Sequence, residues 1–154
     1  AYRFTLPASP HHAAHAEASE ITLPGLLTHA EKAQQGHWIV EGAGGLLVPL
    51  STTLLMTDLI RSLGLPTLVV SSTRLGTINQ TLLTLNQLDT LGLETVGVIM
   101  MGAKDESALS GIVAHHHAPI LAQLPHAETI DQACIRQWGE VLRAIPKIAR
   151  ALGV

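Results

Sequence analysis

Trp38-Ile39-Val40-Glu41-Gly42-Ala43-Gly44-Gly45-Leu46-Leu47-Val48-Pro49 is the stretch on which the fold turns. Its apolar run, Trp38 to Val40, carries β-branched residues, ends on one carboxylate, Glu41, and breaks into three glycines within four residues. A short apolar run bounded by glycine reads as a buried strand. Glycines at its carboxyl end permit a tight turn and let a ligand approach bare backbone. In open parallel sheets, ligands lie outside the carboxyl ends of the strands. A carboxylate there, followed by free N–H groups, suits a magnesium–nucleotide site in which Glu41 takes the metal or its water and the amides face phosphate. The same residues also allow a plain strand-to-helix turn with Glu41 near solvent, and a short Gly-rich turn does not by itself separate the two readings.

Working outward, strand and helix patterns alternate. The spacing predicts strands over His37 to Glu41, Thr67 to Ser71, Thr95 to Met100 and Pro119 to Leu124. Helices are predicted over Leu54 to Leu63, Gly76 to Leu91, about Glu106 to His116, and Ile130 to Leu152 with an interruption at Pro146. The helix after Gly76 is the best formed, its leucines at 82, 83, 85, 88 and 91 covering one face. Before the opening stretch, Ser9 and Pro10 read as N-cap and first residue of a short Ala-rich helix over His11 to Glu20. Leu23-Pro24-Gly25 reads as an interruption, and Leu26 to Gln35 as an amphipathic helix stopped by Gly36. Repeated strand–helix units of this length imply a parallel sheet. The expected fold is therefore a doubly wound, mostly parallel α/β sheet with helices on both faces, one domain over residues 1–154. Four predicted strands leave that sheet short at one end.

Composition agrees with this class. Hydrophobic residues are 47% and charged residues 14%, which supports a sizeable core. Aromatics are 3%, so the core must be aliphatic, as in α/β layers rather than β-sandwiches. A net charge of −3 without a Lys/Arg cluster gives no nucleic-acid footprint. One cysteine, Cys134, excludes an intramolecular disulfide and fits a reducing compartment; with no membrane-length apolar run, a cytoplasmic protein is expected.

The second candidate site is the turn Arg74-Leu75-Gly76-Thr77-Ile78-Asn79, which follows a strand and opens the long helix. Such a helix start attracts a carboxylate or phosphate through unpaired N–H groups and the helix dipole, although ordinary N-capping by Thr73 or Thr77 is the commoner arrangement for such residues taken alone. Asp58 falls inside a predicted helix and reads as a surface residue or a brace for the Gly44-Gly45 loop, outside direct ligand contact. The nine histidines include His11-His12 and His115-His116-His117, but consecutive helical residues diverge, so a solvated helix end accounts for them. Cys134 reads as a packing residue, and no nucleophile elbow is present, so no catalytic side chain is assigned.

Taken in order, Ser9-Pro10-His11, Val40-Glu41-Gly42-Ala43-Gly44-Gly45 with Pro49-Leu50, Asp58, Leu65-Pro66, Leu75-Gly76-Thr77-Ile78-Asn79, Gly97 and Leu124-Pro125 resemble dethiobiotin synthetase, a P-loop-type ATPase family. The resemblance implies ATP- and Mg2+-dependent ring closure of 7,8-diaminononanoate with CO2 to dethiobiotin in biotin biosynthesis. It implies Glu41 as a magnesium ligand, and Glu41, Gly42, Ala43 and Gly44 at the nucleotide. Leu75, Gly76, Thr77 and Asn79 would hold the substrate carboxylate, offered across a homodimer. Two departures stand out. No Gly-x-x-x-x-Gly-Lys-[Ser/Thr] run occurs in the 154 residues, and Met101-Gly102 stands where many relatives carry an Asn for adenine. The chain is thus expected to be the carboxyl-terminal two-thirds of such a domain, inactive by itself. A non-catalytic nucleotide-binding or regulatory domain of the same fold, and a cobyrinate amide synthase relative, are the alternatives.

Overall fold

The computed structural model describes residues 2–31 and 38–153, and the chain divides into two units, Ala1–Leu65 and Pro66–Val154. The first unit holds helices α1 (Pro10–Ala16), α2 (Leu23–Glu31) and α3 (Met56–Leu63). Ala14, Ile21, Leu50 and Met56 form its buried centre, with Tyr2, Phe4, Leu26, Leu54, Leu59 and Ile60 packed around them. Helix α1 ends at Ala16, short of the predicted Glu20, because Ala18 turns to φ 48°. The Glu17 carboxylate meanwhile accepts hydrogen bonds from the Thr5 N–H and hydroxyl, each at 2.6 Å. Helix α2 opens on Leu23-Pro24-Gly25, the run predicted to interrupt the chain before a helix starting at Leu26. A proline in the first turn has no helical N–H to lose, so it starts a helix as readily as it stops one. The predicted continuation to Gln35, its stop at Gly36, and His37 lie outside the described residues.

The predicted strand over His37 to Glu41 is corrected across its described part. Trp38 to Glu41 carries no strand, and Trp38, Ile39 and Val40 are exposed, Ile39 to 84%. Strand propensity is the fit of side chains onto a paired, half-buried surface. Among the described residues this run has no ladder to join.

The second unit is organised around its central strand. Strands β1 (Thr67–Ser72), β2 (Thr95–Met101) and β3 (Ile120–Leu124) form a parallel sheet in the order β1-β2-β3. Val96 to Met100 of β2 are all buried, the near-continuous apolar run expected of a strand covered on both faces. Helix α4 (Thr77–Thr90) packs on β1 and on α5 (Glu106–His115), while α6 (Gln132–Arg143) and α7 (Pro146–Leu152) contact β3 and β2. Ile99, Leu124 and Ile148 form a cluster with Met101, Leu121, Trp138 and Leu142 beside them. Val98, Met100, Leu85, Leu88 and Ile112 are the most deeply buried side chains, and the pleat turns Val98 and Met100 away from the Ile99 face. Each such aliphatic side chain contributes about 1.5–3 kcal/mol by leaving water. This is the doubly wound α/β layer expected, with three strands among the described residues where four were predicted.

Helix ends follow local chemistry. Asp105 and Asp131 cap α5 and α6, accepting from the Ala108 N–H at 2.9 Å and the Cys134 N–H at 2.8 Å. The predicted long closing helix is two helices, with Ile145 extended and Pro146 opening α7. No helix among the described residues is long and apolar enough to cross a membrane.

Candidate functional site

In the first unit, Glu41 to Gly45 is an exposed loop whose shape is held from one side. Gly44 has φ 83° and Gly45 φ 119°. A methyl group on Gly44 would lie 2.8 Å from Val48 Cγ2, so the absence of a side chain serves both the positive φ and the packing. Gly42 faces the Met56 side chain, at 3.6 Å from where its own Cβ would stand. Beyond the glycines the loop is bonded: Val48 N–H to Gly45 C=O at 3.3 Å, Met56 N–H to Val48 C=O at 2.9 Å, and Thr57 N–H to Leu46 C=O at 3.2 Å. Among the described residues, no partner is found for the N–H groups of Gly42, Ala43, Gly44 or Gly45. The run thus combines one exposed carboxylate with consecutive open amides. That donor set fits a magnesium–phosphate group: Mg2+ takes one or two protein carboxylates and completes its shell with water and phosphate oxygens, and open amides at positive-φ glycines face anions.

Asp58 does not face that group. Its Oδ2 accepts from the Leu55 N–H at 2.8 Å, one turn back across the start of α3. An acidic side chain reaching back to the residue before a helix is a capping arrangement rather than a plain surface placement, and its signal in the sequence is the three-residue spacing.

In the second unit the carboxyl ends of the strands are tied together. Thr73 N–H donates to Met101 C=O at 3.0 Å and Gly102 N–H to Leu124 C=O at 2.9 Å. From that rim the chain turns through Arg74 and Leu75 into Gly76, the N-cap of α4 at φ 95°. Thr77 N–H is taken by Arg74 C=O at 3.0 Å and Gln80 N–H by Gly76 C=O at 3.0 Å. Among the described residues no partner is found for the N–H groups of Ile78 and Asn79. Thr77 is 5% exposed, and among the described residues its hydroxyl has no hydrogen-bond partner and neither Thr73 nor Thr77 caps the helix through its side chain. Capping was one of two readings of this turn, and the geometry leaves the helix start open. Leu75 is fully exposed and Asn79 exposed. Open amides at the head of a 14-residue helix bind anions through N–H donation and the helix dipole.

The other residues singled out have structural places. Met101 ends β2 and packs against the Ile99 cluster. His116 is nearly buried, where a solvated helix end was expected for all three adjacent histidines. Its Nε2 lies 3.0 Å from Asp89 Oδ2, and its Nδ1 accepts from the Ala118 N–H at 3.0 Å. Cys134 is a half-buried free thiol in the first turn of α6. The first unit also has a cleft of about 220 Å³ lined by Glu20, Thr22, Ser51, Thr53 and Leu54, which does not include the Glu41–Gly45 run.

The profile of a family described as "AAA domain" matches residues 1–133. The ATP-dependent dethiobiotin synthetase BioD of Lawsonia intracellularis is 40% identical over 136 residues, covering 88% of this chain and 65% of that protein. The enzyme of the same name from Anaeromyxobacter dehalogenans is 38% identical over 151 residues, covering 93% of this chain and 67% of that protein. The biotin biosynthesis bifunctional protein BioCD of Bordetella avium is 35% identical over 153 residues, 96% of this chain but 31% of its own length. The chain spans 65% and 67% of the lengths of these two single-function relatives.

Proposed function

We propose, from the premise that this chain belongs to the dethiobiotin synthetase family, that it carries the metal-and-phosphate half and the substrate-carboxylate turn of an ATP-dependent dethiobiotin synthetase. The observation that carries the reading is the coincidence of two runs of open backbone amides with the two motifs, Glu41–Gly45 and Leu75–Asn79. In the reaction, one amine of 7,8-diaminononanoate takes up CO2 as a carbamate, the carbamate oxygen receives the γ-phosphoryl group of ATP, and the second amine displaces phosphate to close the ring. Glu41 would hold Mg2+, which neutralises phosphate charge during transfer. Gly42, Ala43 and Gly44 donate N–H groups to the nucleotide phosphates. At the head of α4, the Ile78 and Asn79 amides and the Thr77 hydroxyl receive the substrate carboxylate, with Leu75 and Gly76 shaping the turn. Fully exposed Leu75 fits a turn offered to a second copy of the chain in a homodimer, and the protein works in the cytoplasm. The two units belong to one α/β domain in this reading.

These 154 residues contain no Gly-x-x-x-x-Gly-Lys-[Ser/Thr] run, so the β- and γ-phosphates need a cradle from other residues. The chain alone is therefore expected to form no dethiobiotin from diaminononanoate, bicarbonate and Mg·ATP. Joined to the phosphate-loop segment of a relative, it is expected to become active, and Glu41→Gln should then lower the rate by at least about tenfold, as loss of a metal ligand does. Activity from the 154 residues alone would overturn the account of the missing cradle; an inactive joined protein that still binds Mg·ATP would overturn the proposed reaction.

A further inference from the structure

We infer that Asp58 is a positioning residue that sets the conformation of the Gly42–Gly45 loop through the amino-terminal end of α3; its consequence for nucleotide binding rests on the function proposed above. A helix start leaves its first N–H groups without helical partners. At α4 those of Ile78 and Asn79 stay open, but at α3 they are all used. Leu55 N–H goes to Asp58 Oδ2 at 2.8 Å, Met56 N–H to Val48 C=O at 2.9 Å, Thr57 N–H to Leu46 C=O at 3.2 Å, and Asp58 N–H to Leu55 C=O at 3.1 Å. The helix start thus grips the segment just after the glycines and is not itself an anion site.

Two side chains carry the grip into the loop. Val48, held by Met56 N–H, lies against Gly44, and Met56 lies against Gly42. The short antiparallel bridge Pro49–Leu55, with Leu50 N–H donating to Leu54 C=O at 2.7 Å, closes the segment between them. Within this clamp Asp58 supplies the carboxylate that fixes Leu55, the residue at which the chain enters α3. Without it the Leu55 amide loses its partner, the helix start frays, and the two bonds to Leu46 and Val48 loosen together. The nearby Ser62 hydroxyl bonds the Asp58 C=O at 2.8 Å and takes no part in the clamp.

The test is amide NMR on the full 154-residue chain and three variants. Asp58→Ala is expected to shift the Gly42, Gly44 and Gly45 amide resonances and to raise hydrogen exchange at Met56 and Thr57 about fivefold, the loss of one capping interaction converted to an equilibrium constant. Asp58→Asn, which keeps an acceptor oxygen, should restore the wild-type pattern, and Ser62→Ala should leave the glycine resonances in place. Unmoved glycines in Asp58→Ala, or equal movement in Ser62→Ala, would overturn the inference. Far-ultraviolet circular dichroism checks that each variant is folded. Mg·ADP added to the wild-type chain separates the two readings. If the glycines respond to Asp58→Ala but not to Mg·ADP, the clamp stands and the nucleotide role falls.

Discussion

Glu17, the residue after the last of α1, ties its carboxylate to Thr5, twelve positions before it. The Glu17 carboxylate takes both hydrogen bonds that Thr5 offers, and this donation, the hydroxyl first and the N–H second, holds its pKa below the ordinary glutamate range. The sign follows from the lowered value. Glu17 contributes to stability above the unfolded-state pKa, and the contribution is lost as pH falls through the folded value. Glu17→Gln is thus expected to lower the urea midpoint at neutral pH and to have little effect in acid. A carbon-detected carboxyl titration should place the Glu17 inflection below the ordinary glutamate value. At this scale the sequence was legible where residue type alone fixes the local backbone, as with Gly44 and Pro10. It was not legible where a side chain chooses a distant partner, as Glu17 chooses Thr5, twelve positions away, or His116 chooses Asp89.

Among elements, the alternation of strand and helix in the second unit could be read from hydrophobic period, because each element there packs against a neighbour that enforces its pattern. Trp38–Val40 has the composition of a strand without a ladder among the described residues, so composition alone misled. The helix starts at Asp105 and Asp131 follow capping rules that the period does not display. Gly97 in β2 has no room for a side chain. A methyl group there would lie 2.6 Å from Pro119 C=O and 2.7 Å from Leu121 Cγ, beside the shift in register between β2 and β3. Since a backbone carbonyl cannot rotate away, Gly97→Ala is expected to destabilise the second unit by roughly 1–3 kcal/mol, the cost of overpacking. Chemical denaturation would show it, with the loss of slow exchange at Val98 as the local sign.

For the whole molecule, the proposed function makes association a measurable matter. Leu83 is exposed on α4, the helix that begins at the Leu75–Asn79 turn, and Ile78 is half-exposed on the same helix. If copies meet on α4, Leu83→Asp is expected to shift the sedimenting species from twice the chain mass to the chain mass, with circular dichroism unchanged. A single species of chain mass in the wild-type protein would remove the dimer from the proposal. The candidate site itself was legible as two motifs, but the grip of α3 on the first of them was not. It depends on which backbone amides are already occupied, and side-chain letters do not record that. The two units also differ in colour to a fluorimeter. Each owns one of the two tryptophans, Trp38 half-exposed in the first and Trp138 packed beside the Ile99 cluster in the second. Replacing either with Phe leaves an emission band that reports the melting of a single unit, the first red-shifted and the second blue-shifted, so the cooperativity of the chain is open to direct optical reading.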